Sequence, residues 1–297
     1  MPSKIRVVTL VGLVLCCCVA VPAAYAQGTC NLQTLTGTWV GYEKGSSLNV
    51  VVNPPPQDFP FFTGAMAPFV NVVHVTFNAD GIGKGYYWIY TGAVGATEKS
   101  VPVKITITEM NKDCTGKLTY LVPGTPPATV VERFIIFANG REIRSLPTSI
   151  TNGLPGVTWT GTLHRISASS EPVTSCGQQT AQGKWLTTSE NIVWWTGDTA
   201  WADTIFLRQN VSETGHFTGT LYEKLGDFGD IQHPIWGTIK VRPDCSFTQW
   251  LNIQSITGGV PLVVKGVYFN EGKEAYGMAI GIPYSFAYGE RMDNASE

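Results

Sequence analysis

The chain has 297 residues, of which only 14% are charged, while 11% are aromatic and 32 are glycine. Its 20 basic and 22 acidic residues form no basic cluster, so nothing electrostatic points to nucleic acid or an anionic membrane surface as partner. Long stretches rich in Ala, Glu, Lys and Leu are absent, and the composition is that of strands and turns.

Met1 to Ala26 has a short basic start (Lys4, Arg6), an apolar middle and a small-residue end at Ala24-Tyr25-Ala26. That is the layout of a secretory signal peptide, too short and too broken by Pro22 for a membrane span, and it predicts a secreted protein, periplasmic if bacterial. Cys16, Cys17 and Cys18 leave with it, and the loss of Lys4 and Arg6 brings the mature charge to about −4. The remaining Cys30, Cys114, Cys176 and Cys245 form an even set, which in an oxidising compartment predicts disulfides. No C-x-x-C pair occurs and the histidines are scattered, so neither a metal site nor a cofactor is expected.

Short alternating or β-branched runs follow one another: Asn71 to Phe77, Tyr86 to Tyr90, Val101 to Thr108, Lys117 to Val122 and Thr129 to Phe137. Turn signals such as N-A-D-G (Asn78 to Gly81) and D-C-T-G (Asp113 to Gly116) separate them, the pattern of antiparallel sandwiches or barrels. The chain then begins again. C-N-L-Q-T-L-T-G-T-W (Cys30 to Trp39) is echoed by C-G-Q-Q-T-A-Q-G-K-W (Cys176 to Trp185), and the Asp-Cys of Asp113-Cys114 by Asp244-Cys245. The offset drifts from 146 residues (Cys30 to Cys176) through 134 (Gly85 to Gly219) and 132 (Gly140 to Gly272) to 128 (Gly161 to Gly289). Collinear matches of this kind predict two homologous domains, 29–166 and 175–292, joined by a linker at 167–175. Pairing Cys30 with Cys114 and Cys176 with Cys245 gives each copy the same bridge.

A G-x-W on the first strand, many antiparallel strands and an arginine near each domain end resemble the lipocalin and broader calycin barrels. The resemblance implies an all-β fold of two tandem antiparallel barrels, with one disulfide each. It also implies that Trp39 with Arg165, and Trp185 with Arg291, close the barrel floors, the guanidinium lying across the indole. Two jelly rolls or sandwiches are the alternative architecture.

Several residues are weighed as site candidates. Trp194, Trp195 and Trp201 would wall a pocket or alternate across a strand. Phe59, Phe61 and Phe62, in the proline-rich stretch Asn53 to Gly64, would lid a barrel mouth or pack on the sister domain. Glu223, Asp227 and Asp230 read as a solvated loop, Glu142 and Glu274 as surface or strand-edge positions, and His74 as a structural histidine. Asn210 and Asn294 fit the glycosylation sequon if the source is eukaryotic. No catalytic motif is visible. The leading expectation is a non-enzymatic carrier of a small apolar molecule. A barrel-cavity enzyme of the cyclase or isomerase type and an interaction module with filled barrels are the alternatives.

Overall fold

The computed structural model describes residues 29–47, 67–91, 95–96, 100–122, 127–137, 140–151, 157–196, 199–225, 230–254, 261–280 and 286–292. Residues 1–28, where a signal peptide is expected, and Phe59, Phe61, Phe62, Asp227 and Asn294 lie outside them. The first half begins with one helical turn, α1 (Leu32–Leu35), capped by the Asn31 side chain, which accepts from the Thr34 amide. Its strands are β1 (Gly37–Ser47), β2 (Ala67–Phe77), β3 (Ile82–Thr91), the two-residue β4 (Gly95–Ala96), β5 (Val101–Met110), β6 (Thr115–Val122), β7 (Ala128–Phe137), β8 (Glu142–Thr151) and β9 (Val157–Ser167). All pair antiparallel in the order β2-β1-β9-β8-β7-β6-β5-β3, and the β2–β3 pairing closes the ring, with β4 hung on β3. Closure removes the sheet edges that an open antiparallel sheet would expose.

The second half repeats the plan: a turn of helix α2 (Gln178–Ala181), then β10 (Gly183–Thr196), β11 (Thr199–Val211), β12 (His216–Leu225), β13 (Asp230–Val241), β14 (Ser246–Ile253), β15 (Leu262–Phe269), β16 (Glu274–Ile280) and β17 (Phe286–Arg291). These strands close into a second antiparallel barrel, β10 to β17 in order. Each barrel carries its own disulfide, Cys30–Cys114 and Cys176–Cys245, tying the segment before the first strand to the turn before β6 or β14. The fold is thus two tandem antiparallel barrels.

Period-two alternation decides what lies inside. In β1, Trp39, Gly41 and Glu43 face the interior, while Val40, Tyr42 and Lys44 face out. Trp39, Val73, Val75, Phe77, Ile105, Leu118 and Phe134 build the first core; Trp185, Phe217, Leu221, Ile235, Phe247 and Tyr268 build the second. Each floor tryptophan donates its indole N–H back to the helical turn below it, Trp39 to the Leu35 carbonyl and Trp185 to the Ala181 carbonyl, both at 2.8 Å. Buried indole nitrogens need such a partner. Arg165 stands opposite Trp39 in the register, its guanidinium 5.1 Å from the ring centre, and also donates to the Thr34 and Thr36 carbonyls. Arg291 is the register partner of Trp185. This register equates Arg165 with Arg291 and Gly161 with Ala287, so the Gly161 and Gly289 echo in the sequence is two residues out of structural step.

A third core lies between the barrels. Val40, Val72 and Trp88, from the outer faces of β1 to β3, pack with Val267, Phe269, Tyr276 and Met278 from the outer faces of β15 and β16. Polar contacts rim it. His74 Nε2 lies 2.8 Å from the Asp244 carbonyl, the Tyr86 hydroxyl donates to Asp244 Oδ2 at 2.6 Å, and His164 Nε2 meets the Tyr276 hydroxyl at 3.0 Å. His74 stacks on Tyr86 and His164 on Phe269. Burial holds both histidines below their ordinary pKa, so they sit neutral between the barrels.

Candidate functional site

The first barrel encloses a polar cluster that its strand pattern places with some force. Glu43 on β1 shares its face with Trp39, Asn71 on β2 shares its face with Val73 and Val75, and Glu132 on β7 shares its face with Val130 and Phe134. All three are buried, Glu132 almost completely. Glu43 is the register partner of both Asn71 and Gly161, and Gly161 in turn faces Ser145 on β8. The absence of a side chain at Gly161 is what lets these groups approach. A Cβ there would lie 2.5 Å from Ser145 Oγ and 3.3 Å from Glu43 Cγ, so alanine would push the cluster apart.

The two carboxyls are treated differently. Glu132 Oε1 accepts from the Tyr120 hydroxyl and from the Trp159 indole N–H, both at 2.8 Å, and Ser145 adds a further hydrogen bond. Glu43 Oε2 accepts from Asn71 Nδ2 at 2.9 Å. Burial raises the pKa of both; for Glu43, with the neighbouring Glu132 charge adding to it, the value is pushed up to about 8. Neutral donors favour the ionised form of Glu132 over that of Glu43, so a proton shared by the pair lies chiefly on Glu43. Burial also raises Tyr120 well above and Tyr87 to about 12, so both phenols stay protonated donors. Asn71 Oδ1 is buried and has no hydrogen-bond partner among the described residues. Such an acceptor costs about 1–3 kcal/mol when left unmade. The arrangement offers an incoming group one free acceptor and one exchangeable proton, beside a carboxylate balanced by neutral donors.

The second barrel does not repeat it. Matching strand register equates Glu43 with Ser189, Asn71 with Ile205, Tyr120 with Leu251, Glu132 with Val264 and Ser145 with Gly277. Its own interior polar groups fall elsewhere. Glu223 is buried 3.6 Å from His233, and Gln249 donates to Gln209 at 3.0 Å. Glu223 therefore does not belong to a solvated loop; it continues the inward alternation of Phe217, Gly219 and Leu221 along β12.

The other sequence candidates scatter. Trp194 and Trp201 are cross-strand neighbours of β10 and β11, and Trp195 pairs with Ala200; their side chains lie outside the described residues. Asn210 is exposed near the end of β11. Glu142 bonds Arg144 at 2.5 Å on an exposed strand face, and Glu274 accepts from Tyr288 and Asn270. His74 points out of its barrel towards Asp244. Among the described residues no helix is long and apolar enough to cross a membrane, and no group of three metal-ligating side chains converges.

No family model and no curated protein matches this chain. Among solved structures, it is similar to transferrin binding protein B from Haemophilus parasuis (9% identity, 86% of this chain and 75% of that one, TM-score 0.24). It is likewise similar to transferrin binding protein B from serogroup B Neisseria meningitidis (8%, 86% and 76%, 0.26). A protein of unknown function of the DUF3598 family from Nostoc punctiforme is similar over 89% of this chain and 99% of its own, at 9% identity and a TM-score of 0.24.

Proposed function

We propose that the protein is an exported carrier that takes a small molecule into the first barrel, with an apolar or aromatic body and a cationic or hydrogen-bond-donating head set against Glu43 and Asn71. The observation that carries this is the buried, unpartnered Asn71 Oδ1 beside a carboxyl pair whose titration is set by burial, mutual repulsion and neutral donors. A buried carboxylate is stabilised by a counter-charge, and an ammonium would supply one while displacing the proton from Glu43. A disulfide in each barrel supports export to an oxidising compartment.

The test is calorimetric titration with three ligands of one shape: phenethylamine, phenethyl alcohol and phenylacetate. The amine should bind most tightly and release a proton between about pH 5 and 8, seen as a heat that varies with buffer ionisation enthalpy. Glu43→Gln should abolish the proton release and the preference for amine over alcohol. Binding of phenylacetate as tight as that of the amine and the alcohol would refute the head-group assignment, and binding of none would refute the carrier.

The same carboxyl pair favours one second reading, a barrel-cavity enzyme in which Glu43 gives a proton and Glu132 takes one. Environments that push two acids apart are the usual basis of such a division. In that case Glu43→Gln and Glu132→Gln would each stop conversion of a bound ligand while leaving its dissociation constant nearly unchanged.

A further inference from the structure

The contact between the barrels is heterologous: the first barrel uses the outer face of its opening strands, β1 to β3, and the second uses that of its closing strands, β15 and β16. Because the barrels are copies, each half of this contact exists twice. Register equates Val40, Val72 and Trp88 with Leu186, Phe206 and Tyr222 on the outer face of β10 to β12. It equates Val267, Phe269 and Met278 with Ile135, Phe137 and Leu146 on the outer face of β7 and β8. These six contact residues are at most 2% exposed, whereas their counterparts are 38% to 51% exposed; the seventh, Tyr276, has the exposed Arg144 as its counterpart. Large apolar side chains are thus kept in water at the positions that are covered in the sister barrel, one set on each barrel.

We propose that the protein self-associates head to tail, the outer face of β10 to β12 of one copy docking on the outer face of β7 and β8 of the next. The occupant follows from continuity with the contact already formed within the chain, since both surfaces repeat its two halves. Charge agrees with this. His74 and its acceptor Asp244 rim the internal contact; their register counterparts are Arg208 and Asp113, both exposed and opposite in sign. The repeated contact therefore exchanges a neutral hydrogen bond for an ion pair across the same place. A heterologous contact that does not close on itself extends into a filament, and one that does gives a ring.

The experiment is sedimentation of the purified protein from micromolar to near-millimolar concentration, together with Phe206→Glu and Leu146→Glu, which spoil one face each. The wild type should grow in mass with concentration beyond a dimer. Each variant alone should remain monomeric, because its intact face finds only a spoiled partner. The equimolar mixture should form a one-to-one dimer and stop there, since one intact pair of faces remains. Arg208→Asp should weaken wild-type association roughly tenfold, and adding Asp113→Arg should restore it. Both glutamates replace exposed side chains, and unchanged far-ultraviolet dichroism certifies their folding; the charge reversal repeats the test without touching an apolar residue. A wild type that stays monomeric throughout, a dimer that survives either single variant, or a mixture that fails to pair would overturn the proposal.

Discussion

Replacing Glu43 by glutamine keeps the shape and the hydrogen bond from Asn71 while removing the titration. In the fold Glu43 holds its proton up to about pH 8, against a reference value of 4.5. Between those limits the unfolded chain is ionised and the folded chain is not, so the folded state binds more protons and stability must fall as pH rises. The slope is about 1.4 kcal/mol per pH unit, or about 3 kcal/mol from pH 5 to pH 7, levelling off above the folded value. The assay is urea unfolding at each pH, followed by hydrogen exchange in peptides of β1 and β9 so that the first barrel is read separately. Stability of the wild type minus that of Glu43→Gln should decrease across this window, a difference that cancels the titrating groups not coupled to Glu43. A difference independent of pH, or one rising with pH, would mean that Glu43 is ionised in the fold and would remove the basis of the proton-release experiment.

Arg165→Met should cost roughly 1–3 kcal/mol in the first barrel, through loss of the ring contact and of the bonds to the Thr34 and Thr36 carbonyls, read as a lower urea midpoint. Removing the Cys30–Cys114 bridge by a double serine substitution frees a loop of 84 residues and should destabilise the first barrel by about 4–5 kcal/mol on the chain-entropy model, with the Cys176–Cys245 barrel unaffected. His74 and His164 have folded pKa values below the reference value of 6.5, so the stability they allow is complete above that value and is lost as pH falls towards the folded ones. Small-angle scattering should therefore show the barrels separating as pH is lowered towards 5; an unchanged radius would contradict neutral histidines at the contact.

Much of this was legible in the sequence, and the failures have physical causes. The doubled Cys-to-Trp opening located both floors because a cysteine bridge and a floor tryptophan are local, rigid requirements. Glu43, by contrast, was not singled out, because the Glu43-Lys44 pair looks like surface, although a signal for it was present. Counting by two from Trp39 through Gly41 places it inside, and the same count from Phe77 back to Asn71 and from Phe134 to Glu132 supplies the rest. What one strand cannot reveal is which strand stands beside it. Gly161 matters only because register sets it between Glu43 and Ser145, and its pairing with Glu43 joins strands more than a hundred residues apart. The contact between the barrels was hidden for the same reason: outward valines read as ordinary β-strand faces until a second barrel covers them.

The two barrels therefore differ more in their interiors than at the outer positions of the contact. Outside, six of the seven positions that make the contact are apolar in both barrels even where one barrel exposes them to water, as Leu186, Phe206 and Tyr222 do, Tyr276 against Arg144 being the exception. Inside, the same registers have exchanged carboxyl, amide and phenol for aliphatic groups: Glu132 against Val264, Asn71 against Ile205, Tyr120 against Leu251. Burying an acid costs several kcal/mol unless the surroundings satisfy it, so a polar interior persists only as a set. In the second barrel Glu223 with His233 is a separate polar pair at another register. On that argument the barrels differ in their interiors: the first carries the cluster of Glu43 and Glu132, and the second keeps the floor tryptophan, its arginine register partner and the disulfide without it.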